Sequence, residues 1–221
     1  MNEYEEVYSR LQDESNGFYV FREFRSDIGD HPENFLDFEC QFAADQISKF
    51  KPVTILDIGS YRHFLIGLMA HYRITTIDVR NRKSRLANET VLTCDATSLD
   101  IPDKSFEAVL SMCTLEHIGL GRYGDPIDLK GDKKAIKEMI RVLKPGGLLI
   151  FTTTIHNAPP AIAFNAHRIY DHKMIKNFCE GLECVVEKFY SHQAGNFCTV
   201  EEITTDPKWW DVYCGCWRKV K

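Results

Sequence analysis

Long apolar runs are missing from this chain: nowhere do 18 consecutive residues read as hydrophobic, and the opening Met1–Arg10 is acidic and polar. On those grounds neither a membrane span nor a secretory leader is expected, and a cytoplasmic location is. Basic stripes are missing too. The 27 Lys and Arg residues are scattered and outnumbered by 32 Asp and Glu, for a net charge of −5, which weighs against nucleic acid as partner or substrate. The eight cysteines form no matched pair of C-x-x-C motifs, so a zinc site is not expected. Cys94, Cys113 and Cys184 sit inside apolar runs, where reduced, buried thiols are the expectation. Glycine is short at one telling place. After Gly59 the chain continues Ser60-Tyr61-Arg62-His63, without the G-x-G-x-x-G turn that a dinucleotide pyrophosphate needs, which argues against a nicotinamide dehydrogenase.

What is present is an alternation of short apolar runs with helical patterns. A chain of 221 residues, 44% hydrophobic, is long enough for one shared core, and one domain is expected. From Asn34 to Phe50, Phe35, Phe38, Phe42, Ile47 and Phe50 recur near helical spacing until Pro52 stops them. Strands are then expected at 53–58, 74–79, 90–94, 106–112 and 148–152, with a helix after the first carrying Phe64, Leu65, Leu68 and Met69. Another helix presents Ala135, Ile136, Met139, Ile140 and Leu143 and ends at Lys144-Pro145-Gly146-Gly147. Runs such as VLTC and AVLSMC lack polar alternation, which suits strands buried on both faces. Two further strands, 183–190 and 211–218, read as a final antiparallel pair. The fold class is therefore α/β, a doubly wound, mostly parallel seven-stranded sheet with helices on both faces.

In such sheets ligands bind beyond the carboxyl ends of the strands at the switch point. Asp57, Asp78 and Asp95 close three successive strands, and Asp78 follows Gly59 by 19 residues, near the spacing at which a carboxylate reaches ribose hydroxyls. Each also suits the bland role of capping the next turn, so the residues alone leave both readings open.

The ordered segments ILDIGS (55–60), TTIDVR (75–80), CDATSLDIPDKSFEAVLSMCTLEHI (94–118) and RVLKPGGLLIFTTT (141–154) resemble the successive motifs of class I S-adenosylmethionine-dependent methyltransferases, with a Rossmann-like fold. The resemblance implies S-adenosylmethionine as cofactor. It places Asp57 and Gly59, with the adjoining Ser60, near the methionine moiety, and Asp78 and its neighbour Val79 at the ribose. Asp95 falls at the adenine amino group, the backbone N–H of Ala96 at the ring, and Cys113 beside the methionine. It also divides the chain into an N-terminal lid or cover (1–33, with Phe18, Tyr19, Phe21 and Phe24), a cofactor-binding core (34–154) and a substrate-side segment with the terminal strand pair (155–221). The segments LEHIGLGRYGDPID (115–128) and FNAHRIYDHKMI (164–175) look like a poorly characterised methyltransferase-like group associated with glycan and surface-polysaccharide synthesis. That implies a small-molecule acceptor, an oxygen on a sugar or glycan precursor.

An acceptor hydroxyl must lose its proton, and histidine is the natural base near neutral pH. His117 and His156 follow the fourth and fifth strands and His167 sits beside Arg168, so these three are the candidate catalytic bases. Arg122, Tyr123 and Asp125, in the glycine-dense stretch 119–131, together with Arg168, are candidate substrate contacts, or ties that hold that loop down. Trp209 and Trp210 either stack on an acceptor ring or cover the core edge. Some related O-methyltransferases hold a metal with Glu-x-x-Glu-His, but Cys113 stands at the first position, so no metal is expected. The rival reading is a catalytically silent subunit that binds cofactor or a partner protein.

Overall fold

The structure, a computed structural model, describes residues 3–14, 16–17, 19–21, 34–84 and 86–220. It divides into two compact units, residues 1–32 and 33–221. The first holds α1 (Glu3–Asp13), in which Arg10 pairs with Glu14 one turn on, and a stacked Tyr19–Phe21 pair. Tyr19 and Phe21 are exposed, and the other two aromatics expected to build a lid, Phe18 and Phe24, lie outside the described residues.

The second unit opens on α2 (Phe35–Phe50). Asn34 caps it reciprocally with Asp37, its side chain accepting from Leu36 N and its own N–H donating to the Asp37 carboxylate. The helix ends where Lys51 turns left-handed (φ 51°) ahead of Pro52. There follow β1 (Thr54–Ile58), α3 (Arg62–Leu68), β2 (Arg73–Asp78), β3 (Glu89–Thr93) and β4 (Phe106–Met112). A 3-10 turn at Leu115–His117 leads into α4 (Gly131–Val142) and β5 (Leu143–Ile155). The chain closes with β6 (Ala161–Ala163), β7 (His167–Ile169), α5 (His172–Phe178), β8 (Leu182–Ser191), β9 (Asn196–Cys198) and β10 (Asp211–Lys219).

The strands form one sheet in the order β3-β2-β1-β4-β5-β10-β8-β9, and β6 and β7 make a separate antiparallel pair. β1 to β5 run parallel, whereas β10 lies antiparallel between β5 and β8. The doubly wound sheet and its antiparallel end match the sequence reading, with eight strands in place of seven. The extra one, β9, is a three-residue hairpin return in which Phe189 pairs with Cys198 and Ser191 with Asn196. Three residues between Gly195 and Thr199 carry too little pattern to register as a strand.

Successive residues of the central strands point into different cores, because a strand alternates faces. Leu56, Val109, Leu149 and Phe151 pack with Ala135, Ile136 and Met139 of α4 and Ile175 of α5. Ile55, Ala108, Leu110, Leu148 and Ile150 pack with Phe42, Ala43 and Ile47 of α2 and Leu65 of α3. All of these are nearly inaccessible, which accounts for the unbroken apolar runs of β1, β4 and β5. The order 3-2-1-4-5 also places the reversal of strand order between β1 and β4, and the site is built at their carboxyl ends.

Candidate active site at the carboxyl end of the sheet

Two turns meet at the switch point. β1 ends in Gly59 at φ 72°, and β4 ends in Cys113, a non-glycine residue at φ 43°. A Cβ on Gly59 would lie 2.6 Å from Thr114 Cγ2. Gly59→Ala therefore combines a left-handed alanine with a clash, and we expect a loss of about 2–4 kcal/mol of stability in urea unfolding. The missing downstream glycines are not needed: Tyr61 takes φ −57° and ψ 121°, an allowed conformation, at the start of α3. Ser60 Oγ accepts from Met112 N, which ties the first turn to β4.

Beyond these turns lies a cavity of about 710 Å³, lined by residues including Gly59, Asp78, Val79, Arg80, Asp95, Ala96, Cys113 and His117. Most residues expected to meet a cofactor are thus brought to one hollow. Asp57, next to Ile58 of that lining, is 1% exposed, and its Oδ1 has no hydrogen-bond partner among the described residues. Burial pushes its carboxyl up to about 7 against the lowering effect of Ser60. Asp95 Oδ1 accepts from Thr97 N, so the capping role is real, while its side chain still lines the hollow.

Asp78 carries a feature not read from the sequence. Arg80 Nε and Nη2 donate to its two oxygens at 2.8 and 2.7 Å, and Arg80 N donates to Oδ1 at 2.9 Å. Burial alone would raise this carboxyl, but the Arg80 bonds outweigh it and hold it below the usual carboxylate range. The Arg80 guanidinium also lies 5.2 Å from the centroid of the Tyr123 ring. A diol reaching Asp78 must displace Arg80. Solvent at the exposed Arg80 end screens this pair and limits it to about 1 kcal/mol, so Arg80→Ala is expected to tighten binding of a ribose-bearing ligand by about two- to fivefold in a calorimetric titration. Weaker binding would instead make Arg80 a ligand contact.

A second hollow, about 830 Å³, shares Gly59, Cys113, His117 and Tyr123 with the first and adds Phe35, Tyr61, Glu116, Arg122, His167 and Trp210 among its lining. His117 is the pivotal group. Its Nδ1 lies 2.7 Å from the Ala166 carbonyl oxygen, which can only accept, so Nδ1 carries the proton and Nε2 keeps its lone pair. Burial lowers the pKa of His117, leaving the ring neutral at pH 7. His167 sits 6.0 Å from it, ring to ring, and burial followed by the charge of His117 lowers His167 to about 4.

The other candidate contacts are placed differently. His156 lines neither hollow: it is fully buried, and its Nε2 lies 3.1 Å from the Pro159 carbonyl. Arg168, 5% exposed, donates to the carbonyl of Ile118 and lies 3.5 Å from the Asp132 carboxylate, so it fastens β7 to the 116–132 stretch. Asp125 both lines the first hollow and ties its loop, accepting from Gly119, Gly121 and Tyr123 N–H groups. Arg122 donates to Ala166 O, and Trp210 forms part of the second hollow's wall.

Sequence reasoning missed a buried polar group here. Glu39 of α2, 0% exposed, accepts from Cys113 Sγ at 2.7 Å and Tyr61 OH at 3.0 Å. Glu116, 1% exposed, accepts from Thr153 Oγ1. Burial raises both carboxyls, Glu116 to about 8, and the charge of Glu39 adds to the rise at Glu116. The one signal in the sequence is an acid on the apolar stripe of α2, between Phe35 and Phe42.

The profile of a family described as "Caenorhabditis protein of unknown function, DUF268" matches residues 71–207, more than half of the chain. No curated protein matches. Among solved structures, the chain is similar to the N-methyltransferase NodS from Bradyrhizobium japonicum WM9 in complex with S-adenosyl-l-homocysteine, at TM-score 0.60 and 18% identity, covering 97% of this chain and 99% of that one. It is also similar to the 1,6-didemethyltoxoflavin-N1-methyltransferase of Burkholderia thailandensis, at TM-score 0.61 and 12% identity, covering 99% and 86%. The [4+2]-cyclase SpnF is similar at TM-score 0.62 and 16% identity, covering 99% and 94%. These likenesses establish a shared fold, and because the set includes a cyclase, the reaction has to be argued from the site.

Proposed function

The chain belongs to the family described as Caenorhabditis protein of unknown function, DUF268, and on that premise we propose, from the geometry of its site, that it transfers a methyl group from S-adenosylmethionine to a small-molecule acceptor. The observation that carries this reading is the shared wall: Gly59, Cys113, His117 and Tyr123 line both hollows, so a group bound in one faces a group bound in the other.

The first hollow suits the cofactor. Asp78 offers two acceptor oxygens to a ribose diol once Arg80 withdraws, and Asp95 and Ala96 sit where the adenine edge is expected. Buried Asp57 lies in β1, and Gly59, whose missing Cβ leaves room for Thr114, follows it at the switch point, where the methionine end is expected. When bound, the cofactor supplies an electrophilic methyl on a sulfonium, whose transfer is an in-line displacement governed by alignment.

In the second hollow the acceptor is positioned by Tyr61, Glu116 and Trp210, and His117 Nε2 takes its proton. The neutral state of His117 and its fixed tautomer make the lone pair available without prior deprotonation. A sugar hydroxyl, the acceptor suggested by the 115–128 and 164–175 segments, meets this requirement, as does an amine. The 119–131 stretch, fastened by Asp125 and Arg168, contributes Tyr123 to the walls of both hollows.

The test is a calorimetric titration of S-adenosylmethionine, followed by incubation with hydroxyl- and amine-bearing acceptor panels and mass-spectrometric detection of S-adenosylhomocysteine. Micromolar binding with acceptor-dependent product is expected. Binding without turnover on either panel favours the silent-subunit reading, and no binding at millimolar cofactor removes the enzyme reading altogether.

A further inference from the structure

The second hollow has a composition the methyl-transfer reading does not require. Its rings touch in an unbroken series: Phe35 and Trp210 meet edge to face at 5.4 Å, Trp210 and His167 at 5.5 Å, His167 and His117 at 6.0 Å, and His117 and Tyr123 at 5.6 Å. All five line the hollow, together with the buried carboxyl of Glu116. Aromatic faces beside a carboxyl form the setting in which a cation is preferred to a neutral group of the same shape.

The positive charges nearby engage groups other than the two carboxyls, and the Tyr123 ring is already covered by guanidinium groups, that of Arg80 at 5.2 Å. Arg122 donates to Ala166 O and lies over the Tyr123 ring at 5.4 Å, and Arg168 directs its donors at main-chain carbonyls, that of Glu116 included. No ion pair to the Glu116 or Glu39 side chain occurs among the described residues. Both histidines of the wall are held neutral by burial, so they do not repel a cation. A carboxyl kept protonated by burial ionises when a counter-charge arrives, and here the counter-charge has to come from the ligand.

Resting on the methyl-transfer reading, we propose that the acceptor is an amine recognised as its ammonium ion, held by the ring wall Phe35, Trp210, His167 and His117 and by the Glu116 carboxylate. The ammonium N–H proton passes to His117 Nε2. The freed lone pair then forms the N–C bond as the methyl–sulfur bond breaks and its electron pair goes to sulfur, leaving an N-methylammonium, a thioether and an imidazolium. The pocket so described takes small aliphatic or ring-bearing amines and disfavours uncharged sugars.

Choline and its uncharged carbon isostere 3,3-dimethylbutan-1-ol test this directly, because they differ in charge and hardly in shape. Each is titrated calorimetrically into the full-length protein saturated with S-adenosylhomocysteine, whose own binding is measured first. Choline is expected to bind at least tenfold tighter than the isostere. Glu116→Gln is expected to shrink that preference at least fivefold, with S-adenosylhomocysteine affinity retained as the sign of an intact fold. Trp210→Leu serves the same purpose if the Glu116 variant loses that affinity. Equal or weaker binding of choline, or a preference untouched by the folded variant, overturns the ammonium inference and leaves methyl transfer standing. Failure of S-adenosylhomocysteine to bind the wild-type protein overturns the reading beneath it.

Discussion

Replacing Asp78 with alanine is expected to weaken S-adenosylmethionine binding tenfold or more while leaving the fold in place. The carboxylate ends β2, lines the first hollow and presents two oxygens at one edge of it. Two charge-assisted hydrogen bonds to a ribose diol contribute about 1.5–3 kcal/mol each, of which displacing Arg80 takes back at most about 1 kcal/mol. The balance, at least about 2 kcal/mol, corresponds to roughly thirtyfold, which puts the tenfold expectation on the conservative side. The side chain is partly exposed and its described hydrogen bonds all come from Arg80, so removing it strands no buried group. Calorimetric titration of wild type, Asp78→Ala and Arg80→Ala separates the effects. Loss in the first and modest gain in the second place the ribose at Asp78, whereas an effect below threefold in Asp78→Ala would show that the cofactor's ribose lies elsewhere.

The strand ends were readable in the sequence because they rest on local chemistry. β4 was expected at 106–112 and lies at Phe106–Met112, and β1 and β2 differ from expectation by a single residue at an end or two. β5 was read short at both ends, by five residues at its start and three at its finish: Lys144-Pro145-Gly146-Gly147 breaks α4 as expected, yet the chain is already paired from Leu143 opposite Phe106, across an irregularity in register. Breaker residues announce the end of a helix and carry no signal for a strand that tolerates them at its rim.

The site was legible to the extent that it is made of strand ends, and illegible where it depends on long-range packing. Asp78 and Asp95 are fixed by their place after a strand, and both line the first hollow. Glu39 is not: it meets Cys113 across 74 residues of sequence, and only the packing of α2 against β5 and β10 brings them together. Arg80 escapes for a different, local reason: its engagement with Asp78 depends on a turn of two residues rather than on any periodic pattern. His156 and Arg168 show the converse limit. Position after β5 placed His156 on the right end of the sheet, but which way a side chain points after a strand depends on the next turn, and here it turns toward Pro159. Arg168 was read as a candidate substrate contact from its place beside His167, yet the carbonyls of the 116–128 stretch provide its partners.

Removing the base should cost the most in rate. His117→Asn keeps an amide donor where Nδ1–H serves Ala166 O and deletes the Nε2 lone pair, so the β7 side of the site stays tied while proton acceptance is lost. The expected result is a drop of about 10²–10⁴-fold in turnover at saturating cofactor, with S-adenosylhomocysteine affinity changed by less than about threefold. The pH profile provides the control a structural role would not move. Because burial lowers the pKa of His117 below its ordinary value near 6.5, the free base dominates through neutral pH. Turnover by the wild type should therefore be flat across neutrality and fall only as acid protonates Nε2, and that acidic limb should vanish in His117→Asn. A variant that keeps the limb, or whose rate drops less than tenfold, would move the base to another group, of which Glu116, buried at the same hollow and bonded to Thr153, is the next to replace by glutamine.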